Sequence, residues 1–335
     1  MSTTTSPPQR RLLLRIVLFV PVIAALALCA FAWPAARTAP RDLPVGVAGP
    51  AAATAPVEQQ LSAQDGAFEI HRYADEAAAR DAVEDRTVYG ALVIGPDGPV
   101  LLTASAGGLA VSQLLQQAAA GLGEADGTQV RTVDVVPAPA GDPRGSGFGS
   151  SVLPMALAGM AAGAMVTLLG LSAGYTVVAL LGSAALVGVA ATVVSHNWLE
   201  VLTGNWWAEA GALGLSVLAV SAAVAGLAAL VGKPGMGVMA ILMMLIGNPF
   251  SGASSAPELL PVPAGTIGQW LQPGAGSSLL RSVSYFDGAG AFGPALTLAW
   301  WAALGLGAVV LGKALKNRRP DAQPQAAERE PAPVG

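Results

Sequence analysis

The chain has 335 residues, 53% of them apolar and only 11% charged, with a mean hydropathy of +0.57 and a formal net charge of −4. Soluble domains carry about 25% charged residues, so this composition excludes an ordinary soluble domain and indicates a membrane protein. The single cysteine, Cys29, excludes an intrachain disulfide and a thiolate metal cluster, and reads as a small apolar filler.

Charge is partitioned along the chain. Residues 37–150 hold seven arginines and fourteen acids, whereas residues 151–312 hold only Glu200, Glu209, Lys233, Glu258, Arg281 and Asp287. A water-facing module is therefore set between lipid-facing ones. The first apolar run, 12–34, follows Arg10 and Arg11 and contains Arg15. The positive-inside rule puts the short tail 1–11 in the cytoplasm. Ala30-Phe31-Ala32 has the form of a signal-peptidase site, but the run is longer than a signal peptide needs. A spanning helix is the primary expectation and a cleaved signal the alternative. Either way the next segment lies outside.

Residues 35–150 predict a small α/β domain. "LPVGVAG" (43–49) is a short strand, and "FEIHRYA" (68–74) alternates in polarity with a period of two. "DEAAARDAVEDR" (75–86) is rich in helix formers and reads as a solvated helix. "YGALVIGPDGPVLLTAS" (89–105) carries two apolar runs around Pro96-Asp97-Gly98, the pattern of a β-hairpin. "LAVSQLLQQAAAG" predicts a helix ending at Gly121, and "TQVRTVDVVPA" a last strand. The Gly pair in "ASAGGLA" (104–110) predicts a tight turn, with phosphate binding at the following helix as the alternative.

Residues 151–313 predict a five-helix membrane domain, with spans at 151–171, 174–194, 211–231, a shorter one at 236–250, and 291–312. Six spans place both termini in the cytoplasm, consistent with Lys233 and with the cluster Lys313, Lys316, Arg318 and Arg319. The Pro-, Ala- and Glu-rich tail 314–335 reads as disordered. The fold class expected is thus an α-helical polytopic membrane protein of six transmembrane helices, with an α/β extracytoplasmic domain between the first two. The expected location is the cell membrane. "GMAAG" is a G-x-x-x-G motif in which Gly159 and Gly163 allow close helix packing, within the chain or across a homodimer.

Residues 251–290 form an outer element between the last two spans. Leu279, Leu280, Val283 and Phe286 fall on one helical face, and Ser278, Arg281, Ser282 and Asp287 mostly on the other. A short amphipathic helix at the outer interface is expected, with Trp270 at headgroup depth and Tyr285 in the same run. Arg281 then marks the membrane boundary, with a substrate or gating role as the alternative.

No nucleophile elbow, phosphate loop, paired Cys motif or histidine cluster is present. No catalytic residue, cofactor or metal ligand is expected, nor is a nucleic-acid partner. His196, Glu200 and Glu209 fall in a predicted outer loop, and His196 has no second His or Cys nearby to make a metal site. Membrane lipid is the expected partner.

Four stretches together resemble bacterial membrane proteins related to ABC type-2 permeases and to the phage-infection-protein family. They are "LPVGVAG", "DRTVYGALVIGPDGPVLLTASAGGLA", "DPRGSGFGSSVLPMALAGMAAG" and "PVPAGTIGQWLQPGAGSSLLRSVSYFDGAG". The resemblance implies one span, a large outer domain, five further spans, and export or envelope transport of a hydrophobic or amphiphilic substrate. It also implies a separate ATPase. Yet "LSAGY" and "VGKPG", the connections between spans on the cytoplasmic side, provide no persuasive docking helix for one. The alternative is a non-transporting envelope protein whose outer domain binds a partner.

Overall fold

The computed structural model describes residues 7–317. Helix α1 (Pro7–Ala36) begins before the expected boundary at residue 12. Pro7 and Pro8 stand in its first turn, where a missing N–H costs little. The helix thus takes in residues 7–11 of the expected tail. Of the other expected tail, residues 314–317 continue the last helix, and the remainder lies outside the described residues, as do Arg318 and Arg319.

The outer domain is a five-stranded sheet with three helices. In chain order it runs β1 (Leu43–Ala48), α2 (Ala51–Ser62), β2 (Phe68–Tyr73), α3 (Glu76–Glu84), β3 (Gly90–Gly95), β4 (Gly98–Thr103), α4 (Leu109–Asp126) and β5 (Arg131–Asp134). The sheet order is β2-β1-β3-β4-β5, parallel except for the β3–β4 hairpin. Its two-residue turn is Pro96-Asp97, because Gly95 pairs with Gly98. Asp75 caps α3 by accepting the Ala78 N–H at 2.9 Å, which explains why "DEAAARDAVEDR" starts a helix there. Helix α4 runs five residues past Gly121.

Both faces of the sheet carry a core. Leu43, Val45, Val47 and Leu101 pack with Val57 and Leu61 of α2 and Val111 and Leu115 of α4. On the other face Ala48, Val93 and Leu102 pack with Ala79 and Val83 of α3. Neither core is completed locally: Ala256 and Leu259 join the first, and Phe286 joins the second.

Four further long helices form the bundle. They are α5 (Ser146–Leu168), α6 (Ala173–Thr192, continued by a wider turn to Trp198), α7 (Trp206–Val231) and α11 (Phe292–Asn317). With α1 they make five helices long and apolar enough to cross a membrane. α7 is the central helix, packed by α5, α6 and α11. Its Ala-, Gly- and Ser-rich sequence lets neighbours approach closely: a side chain on Gly305 of α11 would meet the Ala222 backbone at 2.3 Å. By contrast, the most apolar stretch of α1 contributes no buried residue.

The expected span at 236–250 is corrected. It is a helical segment of 14 residues, α8 (Pro234–Ile241) continued by a wider turn to Gly247. At 1.5 Å per residue it reaches about 21 Å, short of the roughly 30 Å of a hydrocarbon core. Pro249 has no N–H to extend it.

The outer element is also corrected. It holds α9 (Ala264–Trp270) and α10 (Gln272–Tyr285), and α10 does not lie at a solvent interface. It is packed against α5, α7, α11 and the turn at 105–107 of the outer domain. Leu279 and Leu280 are buried on one side, and Ser278, Arg281 and Ser282 are buried on the other.

Candidate functional site

The outer domain and the bundle meet around α10. Arg86, in the turn between α3 and β3, donates Nη1 to the Ser278 carbonyl at 3.1 Å and to Ser282 Oγ. Its guanidinium lies over the Phe286 ring, 5.3 Å from the centroid. Tyr89, three residues on, donates its hydroxyl to Glu258 Oε2 at 2.7 Å. Next to them Arg41 donates to the Leu259 carbonyl at 3.0 Å, tying the chain leaving α1 to the same loop. A small cavity of ≈ 270 Å³ remains among Arg86, Tyr89, Glu258, Gln269 and Phe286.

Arg281 sits beneath this junction and is 4% exposed. It donates Nη2 to the Ala253 carbonyl at 2.8 Å, and its guanidinium lies 4.8 Å from the centre of the Phe148 ring. Its Nε has no partner among the described residues. Burial, and then the neighbouring Arg86 charge, push its pKa down to about 10, so it remains a cation at neutral pH. Burial also lowers Arg86 and raises Tyr89, the latter further because Glu258 is close. Two cations and one carboxylate therefore share a desolvated junction, where charge interactions are strong.

The structure separates the residues singled out from sequence. Arg281 is 4% exposed, so its charge is met by protein and not by open solvent. It does not pair with Asp287, which follows the end of α10 at φ 49°; its partners are Ala253 and Phe148. Tyr285 donates its hydroxyl to the Val201 carbonyl at 2.7 Å, and burial and then Asp142 raise its pKa. Phe286 enters the core of the outer domain. Trp270 is 69% exposed, and its carbonyl accepts from Trp301 Nε1 at 2.8 Å. Gly159 and Gly163 face α7. A side chain would meet Val217 O at 2.9 Å from the first and Ser221 O at 2.6 Å from the second. The "ASAGGLA" turn is filled by the chain itself: Gly107 faces Phe286, and Gly108 faces the Ser255 carbonyl.

A larger groove of ≈ 610 Å³ opens beside this junction, where α1 ends. Phe31 and Pro34 of α1 form one wall, and Leu153 and Pro154 of α5 another. Ser150, Ser254 and Ser255 also line the groove, and so does Ser251, whose hydroxyl is held by the Asn248 carbonyl at 2.7 Å. α1 meets the bundle near this end, with Trp33 edge-on to Phe250 at 6.1 Å. No family model matches the chain, and no curated protein or solved structure does.

Two further corrections concern charge. His196 is not an isolated loop residue. It lies in the wide turn that extends α6, and its Nδ1 is 2.7 Å from Oε2 of Glu209. Glu209 stands in the first turn of α7, fully buried, and also accepts the Gly204 N–H at 2.8 Å. A carboxylate therefore does lie within a candidate span. Arg86, Tyr89 and Glu258 were not legible as a group, since 169 residues separate Tyr89 from Glu258. The one sequence signal was the near-absence of charge in residues 151–312, which made Glu258 and Arg281 conspicuous.

Proposed function

We propose that this protein is a permease-like membrane protein that exports, or moves across the envelope, a hydrophobic or amphiphilic substrate. The groove between α1 and α5 supports this most. Its apolar walls suit a hydrocarbon tail, and its serine hydroxyls suit a polar head. The apolar stretch of α1 beside it is unburied, which suits a wall that can yield to a lipid-soluble substrate. The resemblance to ABC type-2 permeases and to the phage-infection-protein family agrees with this reading. A direct test is retention of a lipophilic fluorescent cation by cells producing the protein. Wild type should lower retention, and Leu153→Trp, which fills the groove, should restore it at equal protein level. Equal retention with wild type and with an empty vector ends the proposal.

We further propose six crossings with both termini in the cytoplasm. Residues 39–41 bond residues 258–259 at the outer-domain end, whereas Lys313 bonds the 171–176 turn at the opposite end. The chain must return between the end of α7 at 231 and residue 258. The 14-residue helix and the irregular segment after it make this return. Reporter fusions at Asp97 and Pro320 should report opposite sides; the same side at both rejects the topology.

A second reading, a non-transporting envelope protein, is favoured by the tight seating of the outer domain on α10. The two short turns opposite the domain, at 169–172 and 232–233, give a motor ATPase little to grip. Co-purification of an ATPase in mild detergent favours the first reading over the second.

A further inference from the structure

The bundle end opposite the outer domain holds a second cavity, of ≈ 490 Å³, between the ends of α5, α6, α7 and α11. Its inner wall is apolar, formed by Val166, Ala225 and Val309, and its rim carries Lys313 and Lys316. Among the described residues no acidic side chain lines it. Lys313 donates to Thr176 Oγ1 at 2.6 Å and to the Leu171 carbonyl. That contact steadies the α5–α6 turn, where Gly170 takes φ 65° and frees carbonyls from the helix ladder. One cation is thus committed partly to structure. Lys316, one turn further along α11, has no hydrogen-bond or ion-pair partner among the described residues. Two like charges three positions apart on a helix repel one another, and an anion between them removes that repulsion.

We propose that this crevice holds an anionic phospholipid of the adjoining leaflet, with its phosphate between Lys313 and Lys316 and an acyl chain along Val166, Ala225 and Val309. The apolar depth selects a lipid over a free anion, and the paired ammonium groups select an anionic headgroup over a zwitterionic one. This site is separate from the groove at α1 and does not depend on transport.

Native mass spectrometry of the full chain in detergent, titrated with phosphatidylglycerol or phosphatidylcholine, tests the proposal. Phosphatidylglycerol should be retained preferentially. Each of Lys313→Gln and Lys316→Gln should weaken it about fivefold. Lys233→Gln should change nothing, because Lys233 is at the same end but outside the crevice. Should Lys313→Gln fail to fold, Lys316→Gln, an exposed position, still decides. Equal binding of the two lipids, an equal loss with Lys233→Gln, or full displacement by millimolar inorganic phosphate overturns the proposal.

Discussion

Arg281 shows how far a single charge can be misplaced by sequence alone. Its neighbours in the chain place it on the polar side of an amphipathic helix, and such a side normally faces water. Here neighbouring protein covers that side, and the guanidinium is buried against Phe148 of α5 and the Ala253 carbonyl of the segment after α8. A planar cation suits both contacts, and a lysine ammonium reproduces them poorly. Removing the side chain leaves the buried Ala253 carbonyl unpaired, a cost of about 1–3 kcal/mol, and adds a cavity. The expected order of membrane level and of detergent melting temperature is wild type, then Arg281→Lys, then Arg281→Ala. If the alanine variant melts with wild type, the contact is not structural.

At the scale of elements, close approach to α7 organises the bundle. Gly159 and Gly163 place α5 so near α7 that any side chain must displace backbone or Val220 and Val224. Gly159→Leu and Gly163→Leu should each cost about 1–3 kcal/mol through overpacking, read as a lower detergent melting temperature. Gly182 is the control: nothing lies within 4 Å of a side chain there, so Gly182→Leu should melt with wild type. A similar loss at all three positions would indicate a general cost of added bulk rather than close packing on α7, since leucine is the better helix former. The motif at 159–163 was readable from spacing. The contacts of Gly188 with the Ala210 carbonyl and of Gly305 with Ala222 were not, because isolated glycines in apolar helices carry no partner address.

At the scale of the molecule, the outer domain is not a self-contained module. Phe286 and Leu259 fill its two cores from beyond the bundle helices, and Arg86 reaches back to α10. Phe286→Ala should cost about 3–5 kcal/mol, and it should loosen the domain from the bundle. Faster proteolysis of the 135–145 linker at unchanged membrane insertion is the expected sign. For the same reason a fragment spanning 37–145 should melt lower in isolation than the domain does in the intact protein. A fragment melting at the same temperature, followed by a domain-specific probe, contradicts this interlock.

The sequence by itself determined the apolar, mostly helical class, the five helices long enough to cross a membrane, and the strands and hairpin of the outer domain. These follow from local patterns: run length, alternation and turn residues act within a few positions of one another. Only the tertiary structure decided the rest. It shortened the expected fifth span, buried α10, and joined Arg86, Tyr89, Glu258 and Arg281. The physical reason is that an amphipathic helix specifies two faces but not what covers them. Water and neighbouring protein are equally compatible with serines and one arginine, provided that the protein supplies a carbonyl and a ring to meet the charge, as Ala253 and Phe148 do for Arg281. The same holds for His196 and Glu209: a histidine without a nearby ligand looks unpartnered along the chain, and the start of α7 brings it a buried carboxylate.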